Sequence, residues 1–167
     1  MAKLPLDLSD YDGKDLIALY SQIITELRSR NIIRTGNVTG ELGEYLAIEF
    51  YNKSSTLPSL QAAPIGTENI DAISRKGERY SIKTITQKTT GAFYGLLPPD
   101  AKGIDEKKFE YVIIVQLSKE YELLRIIELS WEVFLKHKRW HSRILQWNIS
   151  VTQELLADSN VVFERKH

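Results

Sequence analysis

Along the first third of the chain, apolar residues recur at helical spacing. Leu16, Ile17, Tyr20, Ile23, Ile24 and Leu27 share one face of a helix predicted over residues 14–30, and Asp12 is placed to cap its amino end. A stripe of this width is expected to face the core. A second helix is predicted over residues 40–52, with Thr39 as candidate cap and Leu42, Leu46, Ile48 and Phe50 among its apolar positions. Residues 54–67 are rich in Ser, Pro and Gly and read as an irregular connection. The period then changes from helical to alternating. Residues 70–74 and 79–86 form a predicted hairpin about the turn "RKGE", where Gly77 supplies a positive φ. Along its second strand Ser81 and Lys83 project from one face.

A polar, glycine-containing loop follows, and then two further strands, "FEYVIIVQL" and "ELLRIIEL", joined by the short turn "SKEY". Ser130 caps a predicted short helix through His137. "ILQWNI" reads as another strand, residues 152–157 as a last short helix, and "NVVFE" as a terminal strand. This order of elements is α+β, or mixed α/β, in a single domain spanning residues 1–167.

Composition narrows the chemistry. Hydrophobic residues make up 43% of the chain and charged ones 26%, values typical of a globular protein that buries a core. Lys plus Arg and Asp plus Glu both number 22, so net charge neither favours nor disfavours a polyanionic partner. The absence of cysteine excludes a disulfide framework, a thiolate nucleophile and thiolate zinc sites. No apolar leader opens the sequence, and "YVIIV" is too short to cross a bilayer. The expectation is a cytoplasmic protein with no membrane partner.

The predicted hairpin poses the chemical question. Asp71 and Lys83 fall on neighbouring strands, where interior positions rarely carry charge. One explanation is a surface ion pair worth roughly 0 to 1 kcal/mol. The other is a hard-cation site in which oxygen ligands hold Mg2+ and the lysine orients the attacking water near a phosphate. "GELGEY" adds Glu41 and Glu44, three residues apart on one side of the second helix, near an end that favours negative charge and capping acids in general. Gly40 and Gly43 lower helix stability by up to about 1 kcal/mol each, which suggests that a sheet or a nucleic-acid strand approaches the backbone there.

A helix carrying an inward glutamate, a strand with an acid, and a second strand ending x-x-Lys together resemble the PD-(D/E)xK nuclease superfamily. The matching residues are Glu44, Ile70-Asp71 and Ser81-Ile82-Lys83. "GNVTGELGEYLAIEF", "NIDAISRKGERYSIKT" and "YVIIVQLSKEYELLRIIEL" also look like a group of small uncharacterised bacterial domains, over roughly residues 30–135. The resemblance implies a restriction-endonuclease-like central mixed sheet flanked by helices. It also implies a Mg2+-dependent DNA endonuclease, with Mn2+ as a substitute, in restriction or phage defence. Asp71, Glu44 and the main-chain carbonyl of Ile82 would be the metal ligands. Asp71, Lys83, Glu44 and Ser81 would form the catalytic group. Ser81 stands where the superfamily has its second acid, so the missing carboxylate must come from Glu44, with Glu41 behind it. Without it the domain is a binding-only relative, a DNA-binding or assembly module of a larger complex. A chain this small that cuts both strands is expected to act as a homodimer.

Elsewhere, Lys136, Lys138, Arg139 and Arg143 interleave with Trp140 and His141 in a segment suited either to DNA phosphates or simply to solvent. Gln87 and Lys88, just after Lys83, are further candidate DNA contacts, and "RSRNIIR" is another. Trp131 and Trp147 read as core residues.

Overall fold

The structure, a computed structural model, describes residues 7–166. Helices α1 (Gly13–Ser29) and α2 (Val38–Lys53) lead into strands β1 (Leu60–Ala62), β2 (Ala72–Ser74), β3 (Arg79–Ile85), β4 (Tyr111–Leu117) and β5 (Leu123–Ser130). Helix α3 (Trp131–His137) follows, then the hairpin β6 (Lys138–His141) and β7 (Gln146–Ile149), helix α4 (Gln153–Asp158) and strand β8 (Asn160–Glu164). The fold is α+β. A six-stranded mixed sheet has the order β1-β2-β3-β4-β5-β8, and β6 and β7 pair separately. Only β3 and β4 run parallel; every other neighbouring pair in the large sheet is antiparallel. Among the described residues no helix is long and apolar enough to cross a membrane.

Strand β4 lies in the middle of the sheet, and its run Val112-Ile113-Ile114-Val115 is fully buried. A continuous apolar run suits a strand covered on both faces. On one face α2 packs Ala47 and Tyr51 over Tyr80, Ile82, Ile113 and Ile126. The opposite face carries Ile85, Ile114 and Leu129 beneath Phe93, Phe109, Trp131 and Phe134. The connection from β3 to β4 has no helix. It is irregular, and it is pinned by isolated bridges Thr89 to Ser150 and Phe93 to Trp147.

Helix α2 begins two residues earlier than expected. Its cap is Asn37, whose side chain accepts from the Gly40 amide, and Thr39 already lies inside the helix. Its buried line is Gly43, Ala47 and Tyr51 rather than the larger Leu42, Leu46, Ile48 and Phe50, which are only half-buried. Small residues at four-residue spacing let the helix backbone approach the sheet. A Cβ on Gly43 would lie 1.9 Å from Thr84 Oγ1, and that hydroxyl donates to the Gly40 carbonyl at 3.2 Å. The sheet therefore accounts for Gly43, whereas a Cβ on Gly40 would meet the capping side chain of Asn37 at 2.2 Å. Gly43→Ala is expected to cost about 1 to 3 kcal/mol in urea unfolding through overpacking, partly recovered by adding Thr84→Ala.

Helix α1 also departs from its expectation. It forms with Asp12 as cap, but none of its residues is buried. Leu16, Ile17, Tyr20 and Ile23 are between 38% and 71% exposed, so the stripe faces solvent and not the core. The short strand β1 occupies part of the segment expected to be irregular, and β6 occupies part of the basic segment.

Candidate functional site

Asp71 lies immediately before β2, where the chain enters the strand from Asn69, whose φ is 60°. Its amide donates to the Tyr80 carbonyl at 2.8 Å, and its carbonyl accepts from Ala63 at 2.9 Å, so the backbone is fixed on both sides. The side chain turns toward β3. Its Oδ2 accepts from the Ile82 amide at 2.6 Å and from Ser81 Oγ at 3.4 Å. A carboxylate thus takes the place of a residue that would extend β2 at its amino end. The N–H and C=O of one strand residue point to the same side, so the Ile82 carbonyl faces this same gap. Asp71 Oδ1 has no hydrogen-bond partner among the described residues.

Glu44 enters from α2. Together with Glu41, Arg34, Ile70 and Asp71 it lines a cleft of about 130 Å3. The two glutamates do different work. Glu41 is 5% exposed, and its Oε2 accepts from the amides of Arg34 (2.6 Å) and Thr35 (2.7 Å), which holds the loop before α2. That occupation makes it a structural latch rather than a reserve ligand. Glu44 accepts from Arg34 Nη2 at 3.2 Å and is otherwise directed into the cleft. Burial, then the charge of Asp71, push its carboxyl up to about 7, against the pull of Arg34. Arg34 is the site residue that sequence reasoning placed only loosely, within "RSRNIIR". The signal was an arginine immediately ahead of a helix whose first two turns present two acids.

Ser81 is 1% exposed and serves Asp71 with its hydroxyl. Lys83 shares the Ser81 face of β3 by alternation, the side occupied by Phe93. Its Nζ lies 5.0 Å from the centre of the Phe93 ring, and it forms no salt bridge among the described residues. The cross-strand ion pair with Asp71 is therefore not made.

The donor set at the gap is two carboxylates, from Asp71 and Glu44, and one main-chain carbonyl, from Ile82. Hard oxygen donors of this kind fit Mg2+ or Mn2+ in chemical type. No cluster of three or more His, Asp or Glu side chains suited to a metal is present among the described residues, so main-chain oxygen and water would have to complete any coordination sphere. Because Glu44 must lose its proton to bind a cation, Mn2+ affinity is expected to rise with pH, up to about tenfold per unit below about 7, and then level off. In metal-free protein the sign is opposite. The folded state holds the Glu44 proton to a higher pH than the unfolded chain does, so its stability falls as pH rises from about 4.5 to about 7. Calorimetric titration and thermal melts across this window, on wild type and Glu44→Gln, check both slopes; the variant should lack them.

The basic segment does not act as one patch. Lys136 and His137 both reach Asp158, each at 2.6 Å. Lys138 pairs with Asp105, both nearly buried, and its Nζ lies 4.1 Å from the centre of the Trp147 ring. Along β6 the alternation turns Lys138 and Trp140 inward and Arg139 and His141 outward. Arg139 and Arg143 are exposed and form no salt bridge among the described residues, so Lys136 and Lys138 leave the set of free phosphate contacts while these two remain. Gln87 and Lys88 lie exposed just beyond β3. Trp131 is a core residue; Trp147 is half-buried and donates its Nε1 to the Leu97 carbonyl at 2.8 Å. In the comparisons with known proteins, no family model and no curated protein matches this chain.

Proposed function

We propose that this chain is a metal-dependent DNA endonuclease of the restriction-endonuclease-like type, acting as a homodimer in restriction or phage defence. One observation carries the reading. Asp71 lies at the parting of β2 and β3 with one oxygen uncommitted among the described residues, Glu44 shares its cleft, and the ammonium of Lys83, on the Ser81 face of β3, has no carboxylate partner among the described residues. The strand arrangement supports the resemblance to the PD-(D/E)xK superfamily. An antiparallel β1-β2-β3 unit is followed by a parallel return to β4, with α2 packed over one face.

Asp71, Glu44 and the Ile82 carbonyl would hold the Mg2+. When bound, the ion polarises the scissile phosphate and lowers the pKa of its water. Lys83 would position the attacking water and stabilise charge developing on the phosphate. Ser81 fixes the Asp71 carboxylate. Arg34 keeps Glu44 in place and offsets part of the repulsion between the two acids. Arg139, Arg143, Gln87 and Lys88 would meet the DNA backbone, placing the protein without reading sequence.

The second reading, a nuclease-like DNA-binding or assembly module without catalysis, is favoured by Ser81 at the signature acid position and by Arg34 already paired with Glu44. Incubating the protein with plasmid and oligonucleotide substrates in Mg2+, Mn2+ or EDTA separates the two. Cleavage in either metal and none in EDTA is the expected result. Retained DNA binding with no cleavage under any condition replaces the nuclease with the binding module.

A further inference from the structure

Helix α1 presents an apolar face that the described chain leaves largely uncovered, with only Ile24 and Leu27 half-buried. Leu16, Tyr20, Ile23 and Leu27 follow the 4-3-4 spacing of a coiled-coil seam, and Ile17 and Ile24 widen it along one edge. The four most exposed side chains, Leu16, Ile17, Tyr20 and Ile23, are 38% to 71% open to solvent. Contiguous apolar surface of a few hundred Å2 or more marks interaction sites on proteins of this size, and a standard interface takes about 800 Å2 from each partner.

We infer that this face pairs α1 with α1 of a second copy, antiparallel, about a two-fold axis near Ser21. The charge pattern selects that partner and orientation. Asp10, Asp12 and Asp15 outnumber Lys14 at the amino end of the helix, and at the carboxyl end Arg28 and Arg30 outnumber Glu26, whose exposed pair with Arg30 within the same helix is only a weak competitor. Asp12 and Arg30 are about five full turns apart at 3.6 residues per turn, so they fall on one line along the edge of the stripe, equally far from Ser21. A two-fold axis there brings Asp12 of each copy beside Arg30 of the other, twice over. Parallel pairing would instead set acid on acid and arginine on arginine. Antiparallel helix dipoles favour the same arrangement. Each copy contributes the same patch, as a two-fold interface requires. This gives the homodimer of the nuclease reading a surface, and because it is tested by mass without substrate, the two readings fail separately.

Sedimentation equilibrium on the full chain at micromolar concentrations is expected to give a dimer. Tyr20→Glu with Ile23→Glu should weaken self-association on the order of 100-fold, with the far-ultraviolet spectrum of the body unchanged, because both side chains are exposed in the single chain. Orientation is read by cross-linking, which the cysteine-free background makes specific. Ile17→Cys mixed with Ile24→Cys should form a disulfide between copies, and neither variant alone should do so efficiently. A wild-type monomer at about 100 μM would overturn the inference. So would a dimer that survives the double glutamate substitution, or efficient Ile17 to Ile17 cross-linking, which means parallel helices.

Discussion

Lys83→Met is expected to lower metal-dependent cleavage by about 10²- to 10³-fold or more while leaving the unfolding midpoint nearly unchanged. Two features of its surroundings separate those outcomes. Its ammonium has no carboxylate partner among the described residues, and it lies 5.0 Å from the centre of the Phe93 ring, an interaction of about 0.5 to 1 kcal/mol. Methionine keeps much of the aliphatic stem and removes only the charge. Asp71 should behave differently, contrary to what its place in a catalytic pair suggests. Its carboxylate holds the Ile82 amide at 2.6 Å, a bond to a charged group worth about 1.5 to 3 kcal/mol, so Asp71→Ala should lose both activity and stability. Cleavage rates beside urea melts test this. A Lys83→Met protein with full cleavage, or one that unfolds as readily as Asp71→Ala, would remove Lys83 from the chemistry.

Asp105→Ala is expected to produce the largest loss of stability, about 3 to 5 kcal/mol, a substantial part of the total for a domain of ordinary size. The Lys138 and Asp105 side chains are 12% and 8% exposed, and Asp105 also accepts from the Leu97 amide at 2.7 Å. Removing the acid strands an ammonium against Trp147 and leaves that amide unpaired. Replacing both partners, Asp105→Leu with Lys138→Met, should recover much of the loss, since an apolar pair of similar volume avoids desolvating two charges. Chemical denaturation of the three variants checks the pattern. A cost below about 1 kcal/mol for Asp105→Ala would mean that Lys138 is free to swing outward and meet phosphate after all.

These residues also show which parts of the molecule could be read from the chain. Caps were legible because they depend on neighbours a few residues away. Asp12 and Ser130 accept from amides of the helices they precede, as expected, whereas for α2 the cap is Asn37 and not Thr39, two residues later. The Asp71 hairpin was legible because alternation and the Gly77 turn are local. Pairing at a distance was not. Strand β1 has three residues and becomes a strand only through its register with β2. Lys138 looked like one cation among several until the fold brought Asp105, 33 positions earlier, against it. Spacing alone set Glu41 and Glu44 on one side of the helix, with Glu44 preferred only by resemblance, and it is the loop carrying Arg34 that occupies Glu41. For α1 the period identified the apolar face correctly but not its cover, because spacing says which residues avoid water and not what excludes it.

The helix-free crossover between β3 and β4 governs when this protein can fold. Its anchors, Ser150 and Trp147, follow their partners, Thr89 and Phe93, by more than fifty positions. Parallel pairing already requires closing a long loop before any contact compensates the lost chain entropy. Here the loop is held in place by a hairpin made near the end of the chain. During synthesis β3 therefore emerges with its Lys83 face uncovered and stays so until β7 has left the ribosome. Folding is expected to be slow and late rather than progressive from the amino end. A truncation before Gln146 should leave a soluble but collapsed species that binds hydrophobic dyes, even though every residue of the Asp71 gap is present.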